Sequence, residues 1–140
     1  MLEGAMATKG KSLKQVVHLP GTPKQAYMLL MTTKGHQAFS GAKARISGRI
    51  DGLCTAYDGY CEARNVQLEP GLLIVQAWRA TDWEEGWWST ATWDFASEKG
   101  GTKLTFTQAN IPAKEFDGIK QGWVDYYWEP MKAYLAKKAK

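Results

Sequence analysis

The chain has 140 residues, 44% hydrophobic and 23% charged, and its 12% aromatic share includes seven tryptophans. That is the size of one domain burying roughly two-thirds of its unfolded surface; the aromatic content excludes intrinsic disorder, and no apolar run approaches the roughly 20 residues of a membrane span. The net charge of +4 is concentrated at one end: Lys132, Lys137, Lys138 and Lys140 lie in a stretch without acids, and without them 14 basic residues face 14 acidic ones. A neutral body with a solvated basic tail points away from nucleic acid and from a membrane surface as partners.

Residues 1–12 are expected to be a disordered or appended N-terminus with no apolar signal core, ahead of a single domain over residues 13–138. Val16 to Leu19 reads as a first strand, ended by Pro20-Gly21. Thr22 then acts as an N-cap with Pro23 at the first helical position, and a short helix runs through Ala26, Tyr27, Leu29 and Leu30. A second short helix spans Gly35 to Phe39 and closes at Ser40-Gly41. Strand-like segments follow at Ala44–Ile50, Leu53–Tyr57, Tyr60–Leu68, Leu72–Thr81, Trp87–Phe95 and Thr102–Ala109, separated by turn residues. Asp58-Gly59 is a two-residue hairpin signal.

The last segment is a long amphipathic helix, about Glu115 to Lys138. Phe116, Ile119, Trp123, Tyr127, Met131 and Tyr134 recur at three- and four-residue steps along it. Pro130 inside it predicts a bend or a missing hydrogen bond. The fold class is therefore α+β: a curved antiparallel sheet wrapped around a long C-terminal helix, with two short helices closing one end. Such a grip is expected to leave a cavity between helix and sheet.

Strand parity supplies the lining of that cavity. Cys54, Ala56, Cys61 and Ala63 share one face of the hairpin, and Thr55, Tyr57 and Tyr60 share the other. The hairpin sets Cys54 and Cys61 diagonally, about 7–8 Å apart; bridged Cβ atoms need about 4 Å. Two free thiols are expected, in keeping with a reducing cytoplasm. Gln76 and Trp78 share a strand face, as do Trp93 and Phe95, and Phe106 and Gln108. Amides on an apolar face need partners. Gln76 and Gln108 either hydrogen-bond a ligand or satisfy one another or a buried water. The expected cavity residues are Gln76, Trp78, Trp93, Gln108, Trp123, Tyr127, Cys54 and Cys61.

The tryptophans divide in two. Trp78, Trp93 and Trp123 sit at core spacing, whereas Trp87 and Trp88 are adjacent and must point to opposite sides of a strand. Trp83 and Trp128 are further candidates for the outside. Exposed tryptophan is enriched at binding hot spots, so Arg79, Trp83, Glu84, Trp87 and Trp88 are the expected partner surface.

Catalytic chemistry is sparse. The two imidazoles, His18 and His36, lack metal-ligand spacing to the cysteines. No nucleophile elbow accompanies them, and Asp82, Glu84 and Glu85 read as a solvated loop. No glycine-rich phosphate loop is present, and neither a metal nor a cofactor is expected.

Three segments carry a family resemblance: Ile74-Val75-Gln76-Ala77-Trp78-Arg79 followed by Trp83-Glu84-Glu85-Gly86; Leu104-Thr105-Phe106 leading to Ile111-Pro112; and Gly122-Trp123 with Tyr126-Tyr127 and then Lys132. With the Tyr57-Asp58-Gly59 hairpin and the Pro70 turn, the chain from Leu13 onward resembles the C-terminal-type domain of the activator of heat-shock protein 90 ATPase family. That family lies in the START-like (SRPBCC, helix-grip) superfamily. The resemblance implies a seven-strand-like curved sheet with a grip helix. It implies a non-enzymatic domain that contacts a heat-shock protein 90 type chaperone and stimulates its ATPase, without a defining catalytic residue. It also implies a second role, since many stand-alone relatives have a cavity: a carrier or sensor of a small hydrophobic ligand. A cyclase- or hydrolase-like START-fold enzyme is the third reading. The separate N-terminal domain of the full co-chaperone has no counterpart in this sequence, so strong activation by this chain alone is not expected.

Overall fold

The computed structural model describes residues 10–138. Residues 1–9, most of the expected appended N-terminus, and Lys140 of the basic tail lie outside the described residues. The chain runs β1 (Lys11–Leu19), α1 (Pro23–Met31), α2 (Thr33–Ser40), β2 (Leu53–Ala56), β3 (Cys61–Glu69), β4 (Leu73–Ala80), β5 (Ser89–Glu98) and β6 (Gly101–Ile111). The C-terminal helix follows a short 3₁₀ turn. It consists of α3 (Phe116–Trp123), a π-helical segment (Val124–Trp128) and α4 (Glu129–Lys138).

Local sequence explains the helix starts. The Thr22 hydroxyl accepts from the Gln25 backbone N–H at 3.1 Å, while the Gln25 side chain accepts from the Thr22 N–H at 2.8 Å. This reciprocal pair satisfies two donors that the first turn leaves unpaired. At α2 the Thr32 hydroxyl accepts from the Gly35 backbone N–H at 3.0 Å without a reciprocal bond, and Gly41 ends that helix in the left-handed region at φ 71°.

All six strands pair antiparallel in the order β1-β6-β5-β4-β3-β2. Alternation decides what faces the helix. Ile74, Gln76, Trp78 and Ala80 of β4 are buried, as are Ser89, Ala91, Trp93 and Phe95 of β5. Leu104, Phe106 and Gln108 of β6 join them. Against this face the helix lays Ile119, Trp123, Tyr127, Trp128, Met131 and Leu135, all buried.

Three expectations need correction. The strand over Ala44–Ile50 is absent, so the sheet has six strands where the resemblance implies seven; a single bridge, Arg45 to Thr55, remains of it. The cause is Asn65, fully buried in β3. Its side-chain amide donates to the carbonyls of Ser47 and Arg49 at 2.8 and 2.9 Å, and its backbone pairs with Asp51 and Gly52. These bonds hold the segment as a loop folded over the sheet edge. β1 starts at Lys11, two residues ahead of the expected domain start. Trp87 and Trp88 precede β5 rather than open it.

Replacing Asn65 with alanine strips partners from two loop carbonyls and from the Gln76 amide, which donates to the Asn65 oxygen at 2.9 Å. Water reaches the loop carbonyls more easily than the buried amide, so the expected cost is about 2 kcal/mol. A urea denaturation midpoint measures it; an unchanged midpoint means the loop holds itself.

Candidate functional site

The π-helical segment organises the site. Pro130 has no N–H for the carbonyl one α-helical turn back, that of Tyr126, and the Tyr57 hydroxyl donates to that carbonyl instead. Tyr57 reaches it because Tyr57, Asp58 and Gly59 all adopt positive φ, at 52°, 57° and 90°. The hairpin keeps the expected register, Cys54 opposite Ala63 and Ala56 opposite Cys61, but its loop is four residues long. Tyr57 therefore leaves the outer sheet face and turns toward the helix. Its ring lies 5.7 Å from Tyr126, 5.5 Å from Tyr127 and 5.9 Å from His36.

Between this turn and the helix runs an open groove of about 330 Å³. Tyr57, Tyr60 and Cys61 form one wall and Trp78 contributes from the sheet. The helix presents Gly118, Ile119, Gly122, Trp123, Tyr126 and Tyr127. At Gly118 a Cβ would meet open space. Behind the groove, sharing Cys61, Trp78 and Tyr127 as a partition, is an interior cavity of only about 30 Å³. It has room for about one water molecule.

The expected cavity residues thus separate. Cys54, Gln76 and Trp93 line the small interior cavity, and Trp123 lines the groove. Gln108 lines neither. Its amide donates to Ser89 at 3.0 Å and its oxygen accepts from the Trp123 indole at 2.7 Å, on a side chain with no exposure. Gln76 donates to Asn65. The room expected between helix and sheet is filled by aromatic rings, and the open space lies at their edge.

Burial sets the chemistry here. His36 is 3% exposed, its Nε2 lies 3.0 Å from the Tyr127 hydroxyl, and desolvation lowers its pKa to about 4. The same cause pushes the Cys61 thiol, Tyr57 and Tyr60 each up to about 12. All four groups are neutral near pH 7, so the cluster offers neither a thiolate nor a charged acid–base pair. Both cysteines are free. Among the described residues, no three His, Cys, Asp or Glu side chains converge as a metal site.

The expected partner surface divides as well. Trp83 is 5% exposed and packs against Trp78 at 5.5 Å, and Trp128 is buried with its indole N–H on Gln15 at 2.8 Å. Neither is an outward tryptophan. Arg79 is a staple rather than a free cation. It donates to the carbonyls of Trp83 at 2.8 Å, Trp87 at 3.2 Å and Glu84 at 3.4 Å, and to the Glu62 carboxylate at 2.8 Å. Trp87 is half-buried with its indole on the Asn110 carbonyl at 2.7 Å. What remains outward is the Trp88 ring, over Arg79 at 5.8 Å, with the Glu84 and Glu85 carboxylates.

Sequence reasoning passed over Asn65, His36 and Tyr57 as organisers. The adjacent positive-φ turn at Tyr57 carried no signal beyond Asp-Gly, and the hydrogen-bond partners of the Asn65 and His36 side chains lie 11 to 91 residues away.

Comparison with known proteins fits this architecture. Residues 21–136 match the family model described as Activator of Hsp90 ATPase homolog 1-like protein. The chain belongs to this family. The human Activator of 90 kDa heat shock protein ATPase homolog 1 is 33% identical over 111 residues, covering 79% of this chain and 33% of the relative. The Dictyostelium discoideum activator homologue is 30% identical over 114 residues, covering 81% of this chain and 30% of the relative. The chain thus spans about a third of the length of the curated relatives it matches. Among solved structures, an HSP90 activator from Plasmodium falciparum superimposes with a TM-score of 0.84 at 24% identity. That match covers 91% of this chain and 97% of the other, and it establishes the helix-grip fold. No helix among the described residues is long and apolar enough to cross a membrane.

Proposed function

We propose that this chain is a non-enzymatic docking domain that engages a heat-shock protein 90 type chaperone in the cytoplasm. The observation that carries the reading is the stapled loop between β4 and β5. Arg79 ties three of its carbonyls down, so Trp88 and the acids beside it are presented without ordering a flexible segment. Pre-organisation of an aromatic anchor raises affinity by lowering the entropy lost on binding. The names of the human and Dictyostelium relatives support the partner class. The test is binding and ATPase stimulation with a purified chaperone of this class. Trp88→Ala and Glu84→Lys are expected to weaken binding roughly tenfold with the fold intact. Absence of both binding and stimulation by the parent protein sinks the reading.

A second reading rests on the groove: reception of a small, largely apolar ligand. Its volume of about 330 Å³ falls at the lower end of small-molecule sites, and its walls are mainly aromatic. The two readings use different side chains, Trp88 and Glu84 for the first and the groove lining for the second, and are separable by mutation.

A further inference from the structure

We propose that the groove between the β2–β3 turn and the C-terminal helix takes a small organic cation, an alkylated ammonium group held against aromatic faces below an acidic rim. This rests on the second reading above and gives it a ligand class. Six aromatic residues line the groove and no charged side chain does. Two of the four tyrosine hydroxyls are committed elsewhere. Tyr57 donates to the Tyr126 carbonyl, and the Tyr127 hydroxyl pairs with the His36 ring. What the walls offer a ligand is chiefly π surface, with the Tyr60 and Tyr126 hydroxyls as the polar groups beside it. Aromatic faces attract cations through the ring quadrupole, more strongly where water is excluded.

The charge at the rim has the matching sign, although the whole protein carries +4. Thr81 donates through its backbone to the Tyr60 carbonyl and through its hydroxyl to the Gly59 carbonyl, which fixes the following residue, Asp82, beside the turn. Glu115 stands one helical turn before Gly118 and Ile119, on the face that forms the groove. Both carboxylates act on the Tyr60 hydroxyl, adding to the effect of burial in raising its pKa. A cation placed near Tyr60 would therefore meet two acids and several ring faces. At about 330 Å³ the space suits a small free cation rather than a diacyl lipid.

The test titrates choline into the purified protein, followed by calorimetry and by intrinsic tryptophan fluorescence, to which Trp78 and Trp123 in the groove contribute. It is run beside 3,3-dimethylbutan-1-ol, which replaces the trimethylammonium group by an uncharged group of equal shape. Choline is expected to bind saturably, and the alcohol roughly tenfold more weakly. Gly118→Leu, which fills open space in a helix, is expected to abolish choline binding while the helical circular dichroism is retained. Asp82→Asn with Glu115→Gln is expected to weaken choline about threefold and leave the alcohol unchanged. Equal binding of choline and the alcohol overturns the cation assignment and leaves the apolar-ligand reading standing. Binding of neither at millimolar concentration overturns both. Binding to phosphatidylcholine vesicles without binding to choline overturns the small-cation assignment in favour of a lipid surface.

Discussion

Trp123→Ala is expected to cost about 5 kcal/mol, enough to unfold much of a marginally stable domain. The indole is 3% exposed, with ring centres at 4.5 Å from Phe106, 4.6 Å from Tyr127, 5.4 Å from Trp78, 5.6 Å from Trp128 and 5.7 Å from Trp93. These partners come from three strands and the helix itself, so no single movement closes the hole. Removing the indole also takes the donor from the Gln108 oxygen, on a residue with no solvent exposure. Truncating a buried aromatic costs about 3–5 kcal/mol, and an orphaned buried acceptor adds about 1–3. Trp123→Phe keeps a ring and loses the N–H, so about 2 kcal/mol is expected for it. Urea denaturation of the two variants checks the pair. If alanine is no worse than phenylalanine, the ring cluster is not what holds helix to sheet.

The same cluster shows where the sequence was informative. Small residues on one hairpin face, Cys54, Ala56, Cys61 and Ala63, do face inward, because strand parity is fixed once one face is buried. The Thr22 cap with Pro23 after it is local and falls where its chemistry places it, and Gln25 completes it. The helix stripe holds through Trp123, Tyr127 and Met131, and misses Trp128 and Leu135. A strict three- and four-residue rhythm runs from Trp123 through Tyr127 and Met131 to Tyr134 and leaves Trp128 outside. The π-helical segment widens one turn, so Tyr127 and Trp128 are both buried, and the stripe continues through Met131 to Leu135 while Tyr134 is only half-buried. Pro130 hinted at an irregularity, but not that the face would rotate by a residue.

The outward placement of Trp83 and Trp128 fails for a related reason. Whether a tryptophan beside a loop is buried depends on what the loop folds onto. Trp83 is covered because Arg79 draws the loop back over Trp78, and that requires Arg79 to meet four acceptors at once. A cation beside tryptophans in sequence reads equally well as a partner contact. Asn65 has the same ambiguity: its polar side chain in a strand looks outward until the loop that it binds is known. In each case a buried polar group joins distant segments, and periodicity carries no record of such bonds.

The partition between groove and interior leads to the second large effect, on acid stability. The neutral His36 ring is enclosed by Tyr127, Tyr57 and Phe39, and it faces the Tyr127 hydroxyl rather than a carboxylate. Burial lowers its pKa from the ordinary 6.5 to about 4. Between those values the unfolded chain takes up a proton that the folded protein refuses. Stability from this group is therefore complete above about pH 6.5 and is lost as the pH falls toward 4, by about 3 kcal/mol. Carboxylates also titrate in that window, so the parent must be compared with His36→Gln at each pH. His18, the other imidazole, is exposed and lies 2.8 Å from Glu98, unchanged in both proteins. His36→Gln is expected to be the less stable at pH 7, with its deficit shrinking by about 3 kcal/mol by pH 4. Denaturation midpoints across that range measure the difference. Parallel curves would mean that the folded protein accepts the proton on His36 and that burial does not hold the ring neutral.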